Sequence, residues 1–160
     1  MEMGKLVAHI PYFYTTWTMT LAAAVVGAAA LRLPVPCGVW RGAFSLFAGA
    51  CLAGMFWVRW YSKVITQKYG ISWTVVWGAD LMFHIIPLVA LVVGARWLSS
   101  RVLPFRGFTT TATMFAVVLA VGLVYLASLG TSMYPGSPVI LCMLVVATTS
   151  VSMLGISCLT

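Results

Sequence analysis

The sequence predicts an all-α integral membrane protein, a bundle of about five transmembrane helices forming one domain over residues 1–160. Of its 160 residues, 62% are hydrophobic and only 7% charged, whereas a soluble domain has roughly a quarter of its residues charged. The apolar residues also fall into windows of about twenty, the length that crosses about 30 Å of hydrocarbon at 1.5 Å per residue. Backbone in lipid must satisfy its own hydrogen bonds, and the two-residue alternation of a barrel strand is absent, so the windows read as helices.

The first span, residues 17–31, is rich in Ala and stops at RLPVP, where Pro34 and Pro36 force an extended connection. The second, 42–61, is followed by Lys63 and Lys68. The third, 74–95, lies within WTVVWGADLMFHIIPLVALVVGARW. After the loop SSRVLPFRG come a fourth span, 109–129, the turn GTSMYPGSP, and a fifth span, 139–158, without a charge. Because the first span is short and the last rich in Thr and Ser, the alternative count is four spans plus an interfacial N-terminal helix. A cleavable signal peptide is not expected, since Lys5, His9 and the aromatic cluster PYFYTTW stand where its apolar core would be.

Nine Lys and Arg oppose two acidic residues, giving a net charge of +7. A nucleic-acid groove needs that charge clustered on a wet surface; here it sits in ones, twos and threes at the ends of apolar runs. The expected partner is therefore the membrane and not nucleic acid. Arg59, Lys63, Lys68, Arg96, Arg101 and Arg106 read as lipid headgroup anchors, with structural phospholipids as the bound molecules and no other cofactor. Basic residues divide almost evenly between the two sides, so the positive-inside rule sets no orientation. Tyr12, Tyr14, Trp17, Trp57, Trp60, Tyr61, Trp73, Trp77 and Trp97 fall at span ends, as an aromatic belt requires. Cys37, Cys51, Cys142 and Cys158 show no CxxC spacing and read as free thiols, with no metal site indicated. In FSLFAGACLAGMFW, the pairs Gly49 with Ala53 and Ala50 with Gly54 have the small-xxx-small spacing of a close helix contact.

Asp80 and His84 are the ionisable residues placed well inside a span. Four residues apart, they share a helix face about 6 Å apart along the axis. An isolated charge at that depth costs at least about 2.5 kcal/mol, so the pair should face protein or a wet cavity. Trp77, Leu81, Leu88 and Leu91 continue the stripe that packs into the bundle. Pro87, one turn on, frees the carbonyl of Phe83 and is expected to kink the helix. A proton relay would need further stations at depth, and haem or metal ligation would need a second ligand that His9, before the first span, is badly placed to supply. Two readings stay open. In one, Asp80 and His84 lock helix rotation through hydrogen bonds to neighbouring groups. In the other, His84 is general base for a hydroxyl of Thr15, Thr16, Thr18 or Thr20.

The order Phe56, Trp57, Tyr61, then His84 with Pro87 three residues later, then Tyr134 and Pro135 between the last two spans, resembles the androgen-induced and androgen-dependent multispan hydrolase family. That resemblance implies a shared helical fold over almost the whole chain, and cleavage of branched fatty-acid esters by an embedded Thr and His. The WTMT segment, Trp17 to Thr20, falls where the family has a Trp before its nucleophile, so Thr20, or failing that Thr18, is the implied nucleophile and His84 its base. The family's Asn-His-x-x-His setting reads Ala79-Asp80-Leu81-Met82-Phe83-His84 here.

Taken together, the sequence is read as a small, non-catalytic accessory subunit of a larger membrane complex, contributing helix packing and lipid contacts. Almost all of its mass lies in the spans, and its charges serve as anchors. An organellar inner membrane, most naturally the mitochondrial one with a respiratory or ATP-synthase type assembly, is the expected home, and the endoplasmic reticulum the alternative. The competing function is a membrane-embedded lipid-ester hydrolase using Thr20 and His84.

Overall fold

A computed structural model of the chain describes residues 14–99, 120 and 137–159, and these are helical apart from short connections. The helices are α1 (Tyr14–Ala30), α2 (Cys37–Tyr69), α3 (Trp73–Asp80), a π-helical turn (Leu81–Ile85), α4 (Ile86–Ser99) and α5 (Pro138–Leu159). Among the described residues, three segments are long and apolar enough to cross a membrane: Gly38–Tyr69, Trp73–Gly94 and Val139–Ile156. They correspond to the second, third and fifth spans expected from the sequence. The expected first span falls on a helix with 17 described residues, about 25 Å in length. The expected fourth span, 109–129, lies outside the described residues.

The organising element is α2. Its 33 residues make a rod of about 50 Å, longer than the hydrocarbon is thick, so it must protrude or tilt. Residues 42–58, between Arg41 and Arg59, carry no charge. They extend over about 25 Å and contain most of the residues buried against other helices. The remaining turns, with Lys63 and Lys68, end at Gly70, whose φ of 60° forms a left-handed C-cap.

Helices α1, α4 and α5 pack on α2 from different sides. One buried cluster joins Ala22 and Val25 of α1, Trp40, Phe44, Phe47 and Cys51 of α2, Leu91 of α4 and Ile156 of α5. A second joins Tyr14 of α1, Ala50, Ala53 and Trp57 of α2, and Leu141 and Val145 of α5. The two clusters pair early residues of α2 with late residues of α1 and α5 and the reverse, and α2 meets Leu91, His84 and Trp77 in that order along its length, so α1, α3 with α4, and α5 all run antiparallel to α2. Burying Tyr14 and Trp57 in this core removes them from the expected aromatic belt; Trp17, Trp60, Trp73 and Trp77 remain exposed on the outer surface.

The sharpest contact is between α2 and α5. A methyl group on Gly49 would stand 2.6 Å from the Cα of Thr149, closer than any real side chain tolerates, so the absence of a Cβ lets the two backbones meet. The hydroxyl of Thr148 donates to the carbonyl of Gly49 at 2.9 Å. Gly49, Ala50 and Ala53 are buried, and Gly54 partly so. Ala50 and Ala53 lie in the cluster that α1 and α5 share, whereas Gly54 turns toward the π-helical turn.

Candidate functional site

Asp80 is the last residue of α3 and His84 lies in the π-helical turn that follows. Pro87 has no N–H to return to the carbonyl of Phe83, so regular α-helical bonding cannot continue through this turn. The chain inserts an extra residue instead, and the N–H of Ile86 donates to the carbonyl of Leu81. The expected kink is thus a π-turn, a rare element that often marks functional sites. The expected packing stripe also shifts. Val76, Asp80 and Leu91 are buried with Leu88 partly so, while Trp77 and Leu81 are exposed.

Both ring nitrogens of His84 meet side-chain oxygens. Nδ1 stands 2.7 Å from Oδ1 of Asp80, and Nε2 stands 3.4 Å from Oγ1 of Thr15. A carboxylate can only accept, so Nδ1 carries the hydrogen and donates to Asp80. Nε2 is then the acceptor in the neutral ring, and the Thr15 hydroxyl donates to it. This is the order hydroxyl, imidazole, carboxylate, in which the third group fixes tautomer and orientation. It differs from the expected helix lock, in which His84 would bond a neighbouring carbonyl and Asp80 a Trp, Thr or Arg.

Packing holds the ring as firmly as the hydrogen bonds do. A Cβ on Gly54 would strike the imidazole edge, standing 2.6 Å from its Cδ2, so glycine at this position makes room for the ring. Burial differs along the triad. The Asp80 side chain is sealed from the surroundings, while that of His84 keeps 13% of its surface accessible. Oδ2 of Asp80 has no hydrogen-bond partner among the described residues, so the carboxylate is committed to the imidazole through one oxygen.

The nucleophile implied by the family resemblance is not the one that reaches His84. Thr20 is exposed and its hydroxyl donates to the carbonyl of Thr16 at 2.9 Å. Thr18 is buried, with its hydroxyl on the carbonyls of Tyr14 and Thr15 at 3.1 and 3.0 Å. Thr15, earlier on α1, is the threonine whose hydroxyl meets the ring. Its sequence signal was present in the run of threonines around Trp17, but register against another helix decides which of them meets His84.

Among the expected headgroup anchors, Arg59, Lys63 and Lys68 are exposed. The guanidinium of Arg59 lies 5.5 Å from the centre of the Trp77 ring, and the ammonium of Lys68 lies 5.6 Å from that of Tyr69. The side chain of Arg96, and Arg101 and Arg106 altogether, lie outside the described residues. Among the described residues, no group of three His, Cys, Asp or Glu side chains is placed to hold a metal ion. No protein-family model, curated protein or solved structure matches this chain.

Proposed function

We propose that the protein is a membrane-embedded hydrolase of lipid esters in which Thr15 is the nucleophile, His84 the general base and Asp80 the group that orients and charges the base. The observation that carries this reading is the line from Oγ1 of Thr15 through the His84 ring to Asp80, at 3.4 and 2.7 Å. In the first step the Thr15 oxygen attacks the ester carbonyl carbon while its proton passes to Nε2 of His84. The resulting imidazolium is stabilised by the buried Asp80 carboxylate. Collapse of the tetrahedral intermediate breaks the bond to the alcohol oxygen, which takes the proton from Nε2 and leaves. Water then gives a proton to His84, attacks the acyl-threonine and releases the fatty acid, restoring the Thr15 hydroxyl.

The position of the site fits such a substrate. The outer faces of these helices are apolar, with Met82, Val89 and Val93 exposed on the segment that carries His84, which suits a substrate with lipid tails. The test is hydrolysis of fluorogenic fatty-acid esters by the purified chain in detergent micelles. Turnover that disappears in Thr15→Val and His84→Ala while the folded fraction stays unchanged is the expected result; turnover that survives both substitutions excludes the mechanism.

A second reading rests on a different observation. Large apolar side chains stand exposed all round the bundle, including Phe56, Val139, Met143, Val151 and Leu154, and they suit contact with other membrane subunits as well as with lipid. In that reading the chain is a non-catalytic accessory subunit, and the triad holds α1 against the π-turn. Co-migration of the entire cellular pool with a large complex on a native gel, together with no ester turnover, would select it.

A further inference from the structure

We infer that Arg59, held on the Trp77 ring, is the specificity-determining residue of the site and selects lipid esters that carry a phosphate close to the scissile bond. The inference rests on the hydrolase reading for its orientation of substrate. Gly54 lies against the His84 ring, and Arg59 follows it by five residues on α2, so the guanidinium is rooted about 7.5 Å nearer the end of α2 that carries Lys63 and Lys68. Trp77 likewise precedes Asp80 by three residues on α3, one turn toward the same end. Arg59 and Trp77, 5.5 Å apart, therefore form a ledge about one and a half turns along α2 from the Gly54 contact with His84, on the side where the charge-free stretch of α2 ends.

A glycerophospholipid fits between these two levels. Its ester carbonyl and its phosphate are separated by a glycerol unit, so a carbonyl held at Thr15 puts the phosphate at the height of the ledge. Arg59 has its charge available for it. The chain has only two acidic residues; of these Asp80 is bound to His84, and Arg59 makes no ion pair among the described residues. The guanidinium lies 5.5 Å from the centre of the Trp77 ring, within cation–π range, and a guanidinium can bond phosphate oxygens in pairs, a geometry an ammonium does not offer. Lys68, which follows Arg59 by nine residues, lies too far along α2 to share the same phosphate.

The test separates this inference from the hydrolase reading by using lipids that cannot be cleaved. Thr15→Val protein is placed in nanodiscs containing ether-linked phosphatidylglycerol and a neutral ether-linked diacylglycerol analogue, and the lipid retained after extraction is measured by native mass spectrometry. The phosphate lipid is expected to be retained about tenfold in preference, an advantage that falls to about twofold or less in Arg59→Gln, is only partly kept in Arg59→Lys and is unchanged in Lys68→Gln. Equal retention by the parent and Arg59→Gln overturns the inference, as does an equal loss in Lys68→Gln, which would assign the preference to diffuse surface charge. Displacement of the retained lipid by millimolar inorganic phosphate would also overturn it, making the site one for free anions. Absence of ester turnover in the wild-type protein, with the Arg59-dependent preference intact, would remove the hydrolase reading alone.

Discussion

Thr15 and Thr20 stand about 140° apart around α1 at 3.6 residues per turn, and only Thr15 points at the imidazole. The hydrolase reading therefore makes opposite predictions for two threonines of the same short segment. Thr15→Val should lower ester turnover by at least about 10²-fold, whereas Thr20→Val should leave it within about twofold, measured as kcat/KM on one substrate at fixed lipid composition. Asp80→Asn keeps the shape of the buried side chain but removes the charge that selects the Nδ1 hydrogen. Its cost should approach the 10⁴-fold that the same change produces in serine protease triads. The presence of an acid and a base on one helix face was legible in the spacing of Asp80 and His84. The identity of their third partner was not, because a hydroxyl 69 positions away in sequence is brought in by the packing of α1.

At the scale of the element, two glycines of α2 serve two different contacts. Gly49→Ala forces its methyl group into the backbone of Thr149 and should destabilise the fold by about 1–3 kcal/mol, the usual range for overpacking, read as a lower midpoint of thermal or denaturant unfolding in detergent. Gly54→Ala meets a side chain instead. The His84 ring must give way to the new methyl group and lose its alignment with Thr15, so turnover should fall at least about tenfold. A Gly54→Ala protein that keeps full activity would show that the ring position is not set by this contact. The small-residue spacing in FSLFAGACLAGMFW pointed to a close helix contact, and Gly49 on Thr149 is such a contact. That Gly54 accommodates an imidazole was not readable, since the spacing names a small residue without naming what lies against it. The π-turn was hidden for a related reason. Pro87 announces an interruption, while the choice between a kink and an inserted residue depends on what the neighbouring helices can accept.

At the scale of the molecule, α2 is the common support of the described helices, and the others are antiparallel to it. The alignment of Thr15 with His84 also depends on α2, whose Gly54 lies against the imidazole. The outer surface of the described helices carries many large apolar side chains, Trp60 among them at 78% exposure. The chain should therefore sediment with membranes after high-salt or alkaline washing and be released by detergent alone, as expected for helices embedded by apolar contact. Cys51 is fully buried between helices. It should resist maleimide labelling in the native bundle and react on denaturation, a direct measure of whether the core is intact.

What the sequence by itself determined follows from solvent physics. A chain with 7% charged residues and apolar windows of about twenty must satisfy its backbone within helices, so the class and three of the spans could be read without coordinates. The placement of Asp80 inside the protein follows from the same reasoning, because a carboxyl group facing lipid is too costly. The tertiary structure decided everything that depends on rotation about helix axes: that Trp57 and Tyr14 are core and not belt, that the buried stripe passes through Val76 and Asp80 and not Trp77 and Leu81, and that Thr15 and not Thr20 reaches His84. In a chain apolar on nearly every face, hydrophobic periodicity no longer marks which side of a helix turns inward. Close fits such as Gly49 on Thr149 and Gly54 on His84 make that choice instead.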